Sequence, residues 1–227
     1  MIPIIDVKNL KYSYKNGKII LDIKEFIVNK GEKIFLFGPS GCGKTTFLST
    51  LAGIIPAHEG SLKVFGTEFI GAKTSVKDRI RGSQMGYIFQ MFNLIPYLNV
   101  LDNILLPTKL NPKKREKLDN HALLIKCKEI AKALNIEHIF LKKANEISVG
   151  QQQRVAAARA LLGSPKLIIA DEPTSSLDAE AREMFLENLF AQCDAQKTTL
   201  IFVSHDKGLA KFFPRQIALP EINRAQI

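Results

Sequence analysis

The chain has 227 residues, 46% of them apolar, which suits one domain or one domain carrying an inserted lobe. No apolar run reaches the roughly 18–20 residues that cross a bilayer, so a membrane-spanning role is not expected. The net charge of +10 admits an anionic partner, but lysines spread over a solvated surface explain it too, because net charge speaks to association and solubility rather than to a site.

Met1 to Asp6 is apolar but short for a signal peptide and has no basic leader. Lys33 to Phe37 reads as a buried strand and Gly38 to Gly43 as a loop. Thr45 to Ala52 reads as a short helix with Phe47, Leu48 and Leu51 on its apolar side and Gly53 as its stop. Leu62 to Phe65 and Met85 to Phe89 look like short strands. From Asn93 to Ile147 the texture changes. Pro96, Pro107 and Pro112 punctuate it, and His121 to Leu134 shows helical periodicity through Leu124, Ile125, Ile130, Ala131 and Leu134. This reads as a helical lobe inserted into an α/β core. The densest basic run, Lys113 to Lys117, lies here. It is diluted by Glu116 and lacks the interleaved aromatics of single-stranded nucleic-acid grooves, so no nucleic-acid partner is expected.

Gln151 to Leu162 then reads as a helix. Leu167 to Ala170 is a continuous apolar run, as a strand covered on both faces should be. Ala179 to Phe190 reads as an amphipathic helix and Thr199 to Val203 as another buried strand. Strands alternating with helices imply a mostly parallel sheet. Cys42, Cys127 and Cys193 are odd in number and far apart, which argues against a disulfide framework or zinc site and fits a reducing compartment.

Gly38, Pro39, Ser40, Gly41, Cys42, Gly43, Lys44 and Thr45 match the pattern G-x-x-x-x-G-K-[ST], followed by Thr46. Phosphates need backbone N–H groups aimed at them, and glycines permit that wrap. The following helix adds the positive end of its dipole. Lys44 supplies a point charge to the β- and γ-phosphates, and the Thr45 hydroxyl reaches Mg²⁺. Farther on, Leu167 to Ala170 delivers Asp171 and Glu172 to the C-terminal end of a strand, where open α/β sheets bind ligands. Asp171 is expected to hold Mg²⁺ and Glu172 to polarise an attacking water. Ser148 followed by Gln151 is a capping-box pattern, so a helix should begin there with bare N–H groups that favour an anion.

Ile147, Ser148, Val149, Gly150 and Gln151, placed just before Asp171, resemble the L-S-G-G-Q signature of ATP-binding cassette (ABC) ATPases. The resemblance runs from about Ile5 to Leu219. It implies an α/β fold: a P-loop NTPase core with a mostly parallel sheet, an N-terminal antiparallel β subdomain and an inserted α-helical subdomain. The whole would be one nucleotide-binding domain, with 1–92 and 148–227 forming the core and β subdomain and 93–147 the helical subdomain. By the same resemblance Tyr14 stacks on adenine, with Tyr12 as an alternative. Gln90 contacts Mg²⁺ and water. Ser148, Gly150 and Gln151 bind the γ-phosphate held by a second copy. Ser175, Ser176, Leu177 and Asp178 form a loop at the dimer interface, and His205 reaches the γ-phosphate.

The texture of Gly86 to Pro96, Asn99 to Pro107 and Gln151 to Val155 is similar to the ATPases of macrolide exporters and lipoprotein-releasing systems. That implies a Mg·ATP-driven homodimer on the cytoplasmic face of the inner membrane, closing and opening to drive a separate transmembrane permease. The permease would dock by the groove at Gln90, Met91, Phe92 and Tyr97. A cell-division ATPase with a membrane partner is the alternative, and a non-hydrolysing regulator would need a catalytic group to be missing. Two positions depart from the pattern. Val149 replaces the first signature glycine, and Leu219, Pro220, Glu221 and Ile222 stand where the family turns through Asp-Gly or Asn-Gly.

Overall fold

The computed structural model describes residues 3–14, 17–110 and 119–225; Pro112 and the basic run at 113–117 lie outside the described residues. In chain order the elements are β1 (Ile5–Ser13), β2 (Ile19–Val28), β3 (Lys33–Phe37), α1 (Lys44–Leu51), β4 (Glu59–Val64), β5 (Thr67–Glu68), α2 (Thr74–Gln84), β6 (Met85–Ile88) and α3 (Val100–Leu110). There follow α4 (Asn120–Ala133), α5 (Val149–Leu161), β7 (Leu167–Asp171), α6 (Ala179–Gln196), β8 (Thr199–Val203), β9 (Arg215–Ala218) and α7 (Leu219–Ile222). The chain forms two compact units, Met1–Arg81 with Thr199–Ile227, and Gly82–Thr198.

The first unit holds an antiparallel sheet in the order β2-β1-β4-β5. Its buried face is aliphatic, with Ile5, Val7, Leu10, Leu21, Ile23, Val28, Leu62 and Val64 essentially sealed from solvent. The step from Val7 to Leu10 breaks the period of two. Asn9 takes φ 48° there, and the β1–β4 register shifts between Lys8 and Lys11. This is a bulge, which admits one extra residue and bends the strand. Gly60 (φ 88°) faces it so closely that a Cβ would lie 2.1 Å from the Asn9 carbonyl oxygen, so only glycine fits.

Also in this unit, β3 lies between β8 and β9 and runs parallel to both. Phe35 of β3 packs on Phe202 of β8 and on Phe213, with ring centroids 6.3 and 5.2 Å apart. Helix α1 buries Phe47, Leu48 and Leu51, as its pattern predicts. Gly53 ends it in the left-handed region (φ 68°), its N–H donating to Thr50 O at 2.9 Å.

In the second unit β6 and β7 pair in parallel. All five residues of β7 are buried, as a strand covered on both faces requires. Helix α5 is the hub, packed by α3, α4, α6 and β6. Its buried face is mostly small: Ala156, Ala157, Ala158 and Ala160 beside Val155 and Leu161. Small side chains let backbones approach, and a Cβ on Gly86 of β6 would lie 2.4 Å from the Ala160 carbonyl oxygen.

Two expectations change. Pro107 does not punctuate; it sits inside α3, where Thr108 Oγ1 donates to Leu105 O at 2.6 Å. The buried face of α4 is Leu123, Cys127, Ile130 and Ala131 with Leu134 beyond, while Leu124 and Ile125 are exposed. The spacing 123, 127, 130, 134 follows the helix repeat, and the two neighbouring apolar residues fall outside that stripe. Among the described residues, no helix is long and apolar enough to cross a membrane.

Candidate functional site

Within the first unit, β3 delivers the chain to Gly38 and β8 delivers it to Ser204. The strands are parallel neighbours in register, Leu36 opposite Val203. The loop after Phe37 and the turn bearing His205 therefore leave the same strand edge. Gly41 and Gly43 take φ of 80° and 94°, which glycine allows freely. Gly38 is needed for closeness rather than φ, since a Cβ would meet Cys42 Sγ at 2.7 Å and Pro220 Cδ at 3.1 Å. Cys42 is buried, as expected of a thiol packed under the loop.

Lys44 is 8% exposed. Its Nζ donates to the carbonyl oxygens of Gly38 and Pro39, both at 2.9 Å. Thr45 is exposed on the first turn of α1, whose N–H groups open toward the loop. Of the two candidate tyrosines, Tyr14 is 47% exposed and Tyr12 only 9%. Only Tyr14 offers a ring face to a ligand, and its hydroxyl lies 3.4 Å from Thr46 Oγ1. His205 is exposed, and the Asp206 N–H beside it donates to Ser204 Oγ at 3.1 Å.

Within the second unit, β6 and β7 pair with Ile88 opposite Ala170. Gln90 and Glu172 each follow two residues later and leave the same edge. Asp171 is buried at 5% exposure. Glu172 has φ 44°, a left-handed conformation that a non-glycine residue adopts at a cost. Such strain concentrates where a side chain must be aimed.

Helix α5 begins with the predicted capping box. Ser148 N donates to Gln151 Oε1 at 3.0 Å, and Gln151 N donates to Ser148 Oγ at 3.3 Å. Ser148 is exposed and Val149 is 48% exposed, so this helix start faces solvent. Asp178 caps α6 by accepting from Ala181 N at 2.8 Å.

Among the described residues, no three His, Cys, Asp or Glu side chains gather as a metal cage. Mg²⁺ is ordinarily held by one or two carboxylates together with substrate phosphates and waters. Asp171 is a carboxylate of that kind, and Thr45 and Gln90 carry neutral oxygen donors.

A model of one family, described as ABC transporter, matches residues 21–175. The chain belongs to the ABC transporter family. It is 36% identical to the bacitracin export ATP-binding protein BceA of Halalkalibacterium halodurans, over 97% of this chain and 86% of that protein. It is 33% identical to the lipoprotein-releasing system ATP-binding protein LolD of Hydrogenovibrio crunogenus, over 96% of this chain and 94% of that protein. Among solved structures it is similar to the dimeric ABC transporter cassette MJ0796, at 32% identity and a TM-score of 0.80, covering 94% and 93% of the two chains. The same cassette in a post-hydrolysis state bound to ADP and Pi gives a TM-score of 0.81. This chain is thus an ABC ATPase, an ATP-hydrolysing subunit of a transporter, with the P-loop fold of that family.

Of the expected docking residues, Met91 and Tyr97 are 81% and 73% exposed. Phe92 is not on that surface. It is 8% exposed and takes φ 58°. Leu141 is also 87% exposed; the segments 98–101 and 140–144 run antiparallel, with Asn99 paired to Lys143 and Val100 N donating to Lys142 O at 2.9 Å, which sets Leu141 opposite Leu101. Two polar side chains that no motif marks also reach these loops. Asn223 Nδ2 donates to Ile20 O at 2.9 Å and its Oδ1 accepts from Asp22 N at 2.8 Å, fastening the C-terminal segment beside the phosphate loop. Arg159 reaches the segment after Gln90.

Proposed function

We propose that this ATPase works as a head-to-tail homodimer, with two ATP molecules held between the copies, and that closure and opening of the dimer drive a permease made as a separate polypeptide. The observation that carries this reading is the exposed, reciprocally capped start of α5. The capping box engages the N–H groups of Ser148 and Gln151, and the positive end of the helix dipole with the remaining first-turn N–H groups and the exposed serine hydroxyl favours an anion. The chain already has one phosphate loop, and the capped serine suits the γ-phosphate on a second copy. Relatives named for lipoprotein release and bacitracin export support an export role of the lipoprotein-release or macrolide-export type. The place of work would be the cytoplasmic face of the membrane.

In this reading Tyr14 stacks on adenine, the loop Gly38 to Gly43 wraps the phosphates with N–H groups, and Lys44 neutralises β- and γ-phosphate charge. Thr45, Gln90 and Asp171 would hold Mg²⁺, which when bound offsets charge on the phosphates. Glu172 accepts a hydrogen bond from water and aims its oxygen at the γ-phosphorus. As that bond forms, the bond to the β,γ-bridging oxygen breaks, giving ADP, inorganic phosphate and a proton. His205 contacts the γ-phosphate, and Ser148, Gly150 and Gln151 contact it from the second copy, with Asp178 nearby in the interface loop. The residues position and stabilise charge more than they make bonds, as in phosphoryl transfer generally.

Glu172→Gln tests this. It keeps shape and hydrogen-bonding capacity but lowers basicity. Turnover should nearly vanish while ATP binding persists, and gel filtration with Mg·ATP should show a long-lived dimer. Near-normal phosphate release would remove Glu172 from its role, and a monomer that binds ATP without dimerising would remove the closure mechanism.

A further inference from the structure

The segment that carries Gln90 is fixed to helices at three points. Arg159, in the last turn of α5, donates through one terminal nitrogen to Asn93 O at 2.7 Å and through the other to Phe92 O at 2.5 Å. Both acceptors belong to residues in the left-handed region, Phe92 at φ 58° and Asn93 at φ 49°. Two such residues in succession cost free energy without glycine, and they persist only where surroundings over-determine them. The next residue of α5, Ala160, presses its carbonyl against Gly86 of β6, where no Cβ fits. Farther along, Asn103 of α3 is fully buried and brackets Ile95, accepting from its N–H at 2.8 Å and donating to its carbonyl at 3.0 Å.

Between these anchors, Gln90 and Met91 form the exposed tip of a tight turn, closed by Phe92 N donating to Phe89 O at 2.9 Å. The planar guanidinium suits the task. It presents parallel donors in a fixed fork, which an ammonium cannot do. Desolvation lowers its pKa, but an arginine side chain stays charged. Charge-assisted bonds to two neighbouring carbonyls hold the turn in one conformation.

We propose that Arg159 is a positioning residue for hydrolysis: its fork on the Phe92 and Asn93 carbonyls sets the direction of Gln90 and ties that glutamine to the helix whose other end carries Ser148. The inference rests on the reading of Gln90 as a contact to Mg²⁺ and water. It makes α5 a rigid link, with the capped serine at one end and the Gln90 turn clamped at the other.

The test is a double-mutant cycle on the purified cassette, with Arg159→Met, Gln90→Ala and both together. Each variant is measured for kcat, for the Mg²⁺ concentration giving half-maximal rate, for ATP affinity and for melting temperature. Gln90→Ala should lower kcat and raise the Mg²⁺ requirement. Arg159→Met should do the same, with kcat reduced about tenfold or more, since each of the two lost charge-assisted hydrogen bonds is of that scale. If Arg159 acts through Gln90, the double variant is no worse than Gln90→Ala. Arg159→Lys, which keeps charge but not the fork, should fall between wild type and methionine, and it carries the cycle should the methionine variant fail to fold. Losses that multiply in the double variant, or a lower melting temperature with an unchanged Mg²⁺ requirement, would overturn the inference alone. A silent Gln90→Ala would overturn the reading of Gln90 and the inference with it.

Discussion

The ammonium of Lys44 donates to the carbonyl oxygen of Gly38 at 2.9 Å, so the phosphate loop is closed on its own lysine. Pro39 O accepts from the same nitrogen at the same distance. The charge thus sits against the first turn of the loop, held by two of its carbonyl oxygens. Lys44→Ala removes a charge from a site built for a tetra-anion and also the bond that shapes the loop's first turn. Losing one such donor typically costs about 2.7–4 kcal/mol of barrier. The expected outcome is weak Mg·ATP binding and lost turnover, read by calorimetry and phosphate release. Wild-type affinity would count against the loop as the phosphate site.

A separate permease predicts a docking surface that can be damaged without harming hydrolysis. Tyr97 is 73% exposed, so Tyr97→Glu should change stability by less than about 0.5 kcal/mol. It should reduce complex formation with the permease, or transport, while basal hydrolysis continues near the wild-type rate. A charge at buried Phe92 is the contrasting control and should depress both activities through the fold. Equal loss of coupling and basal hydrolysis in Tyr97→Glu would mean that the fold or active site was damaged, and unchanged complex formation and transport would mean that this surface is not where the permease docks.

The chemistry-bearing loops were legible because phosphate chemistry constrains residue type and spacing locally. Ser148 and Gln151 cap a helix three residues apart, and both bonds of the box form. Of the antiparallel sheet the sequence reading picked out only the β4 segment, as Leu62 to Phe65; β1 escaped because the Asn9 bulge breaks its alternation between Val7 and Leu10. Helix α2 escaped for another reason: Thr74 to Gln84 has few apolar residues and no stripe to recognise. The roles of Arg159 and Asn223 were out of reach because both act on backbone groups distant in sequence, Asn93 O and Asp22 N among them. A carbonyl has no residue-type signature, so no motif announces its partner. The C-terminal departure from the family pattern becomes intelligible in the same way, as α7 ends at Asn223, whose carboxamide fastens to β2.

Val149 is where the chain breaks its family's signature, and its position decides what that costs. It is the first residue of α5, with Ser148 extended before it at φ −64° and ψ 159°, and it is 48% exposed. Its side chain therefore neither fills the core nor displaces the cap. A β-branched residue stiffens the backbone, but the anion site is made mainly of backbone groups, and Gly150 keeps its N–H while Ser148 keeps its hydroxyl. Hydrolysis should survive, and Val149→Gly should change the rate modestly or raise it, at a stability cost of about 1 kcal/mol or less. Gly150→Asp should behave very differently. A new Cβ there would meet Leu177 Cδ2 at 3.4 Å, an ordinary contact, so the fold should hold. An acidic residue in a first helical turn is even favourable to the helix. What it spoils is the positive end that a γ-phosphate needs, so turnover should fall steeply with little change in melting temperature. Steady-state hydrolysis of the three proteins at saturating Mg·ATP decides. Wild-type turnover in Gly150→Asp would remove the start of α5 from phosphate binding. A wild-type chain that binds ATP yet neither dimerises nor turns over, with both restored by Val149→Gly, would make Val149 a lock on the site.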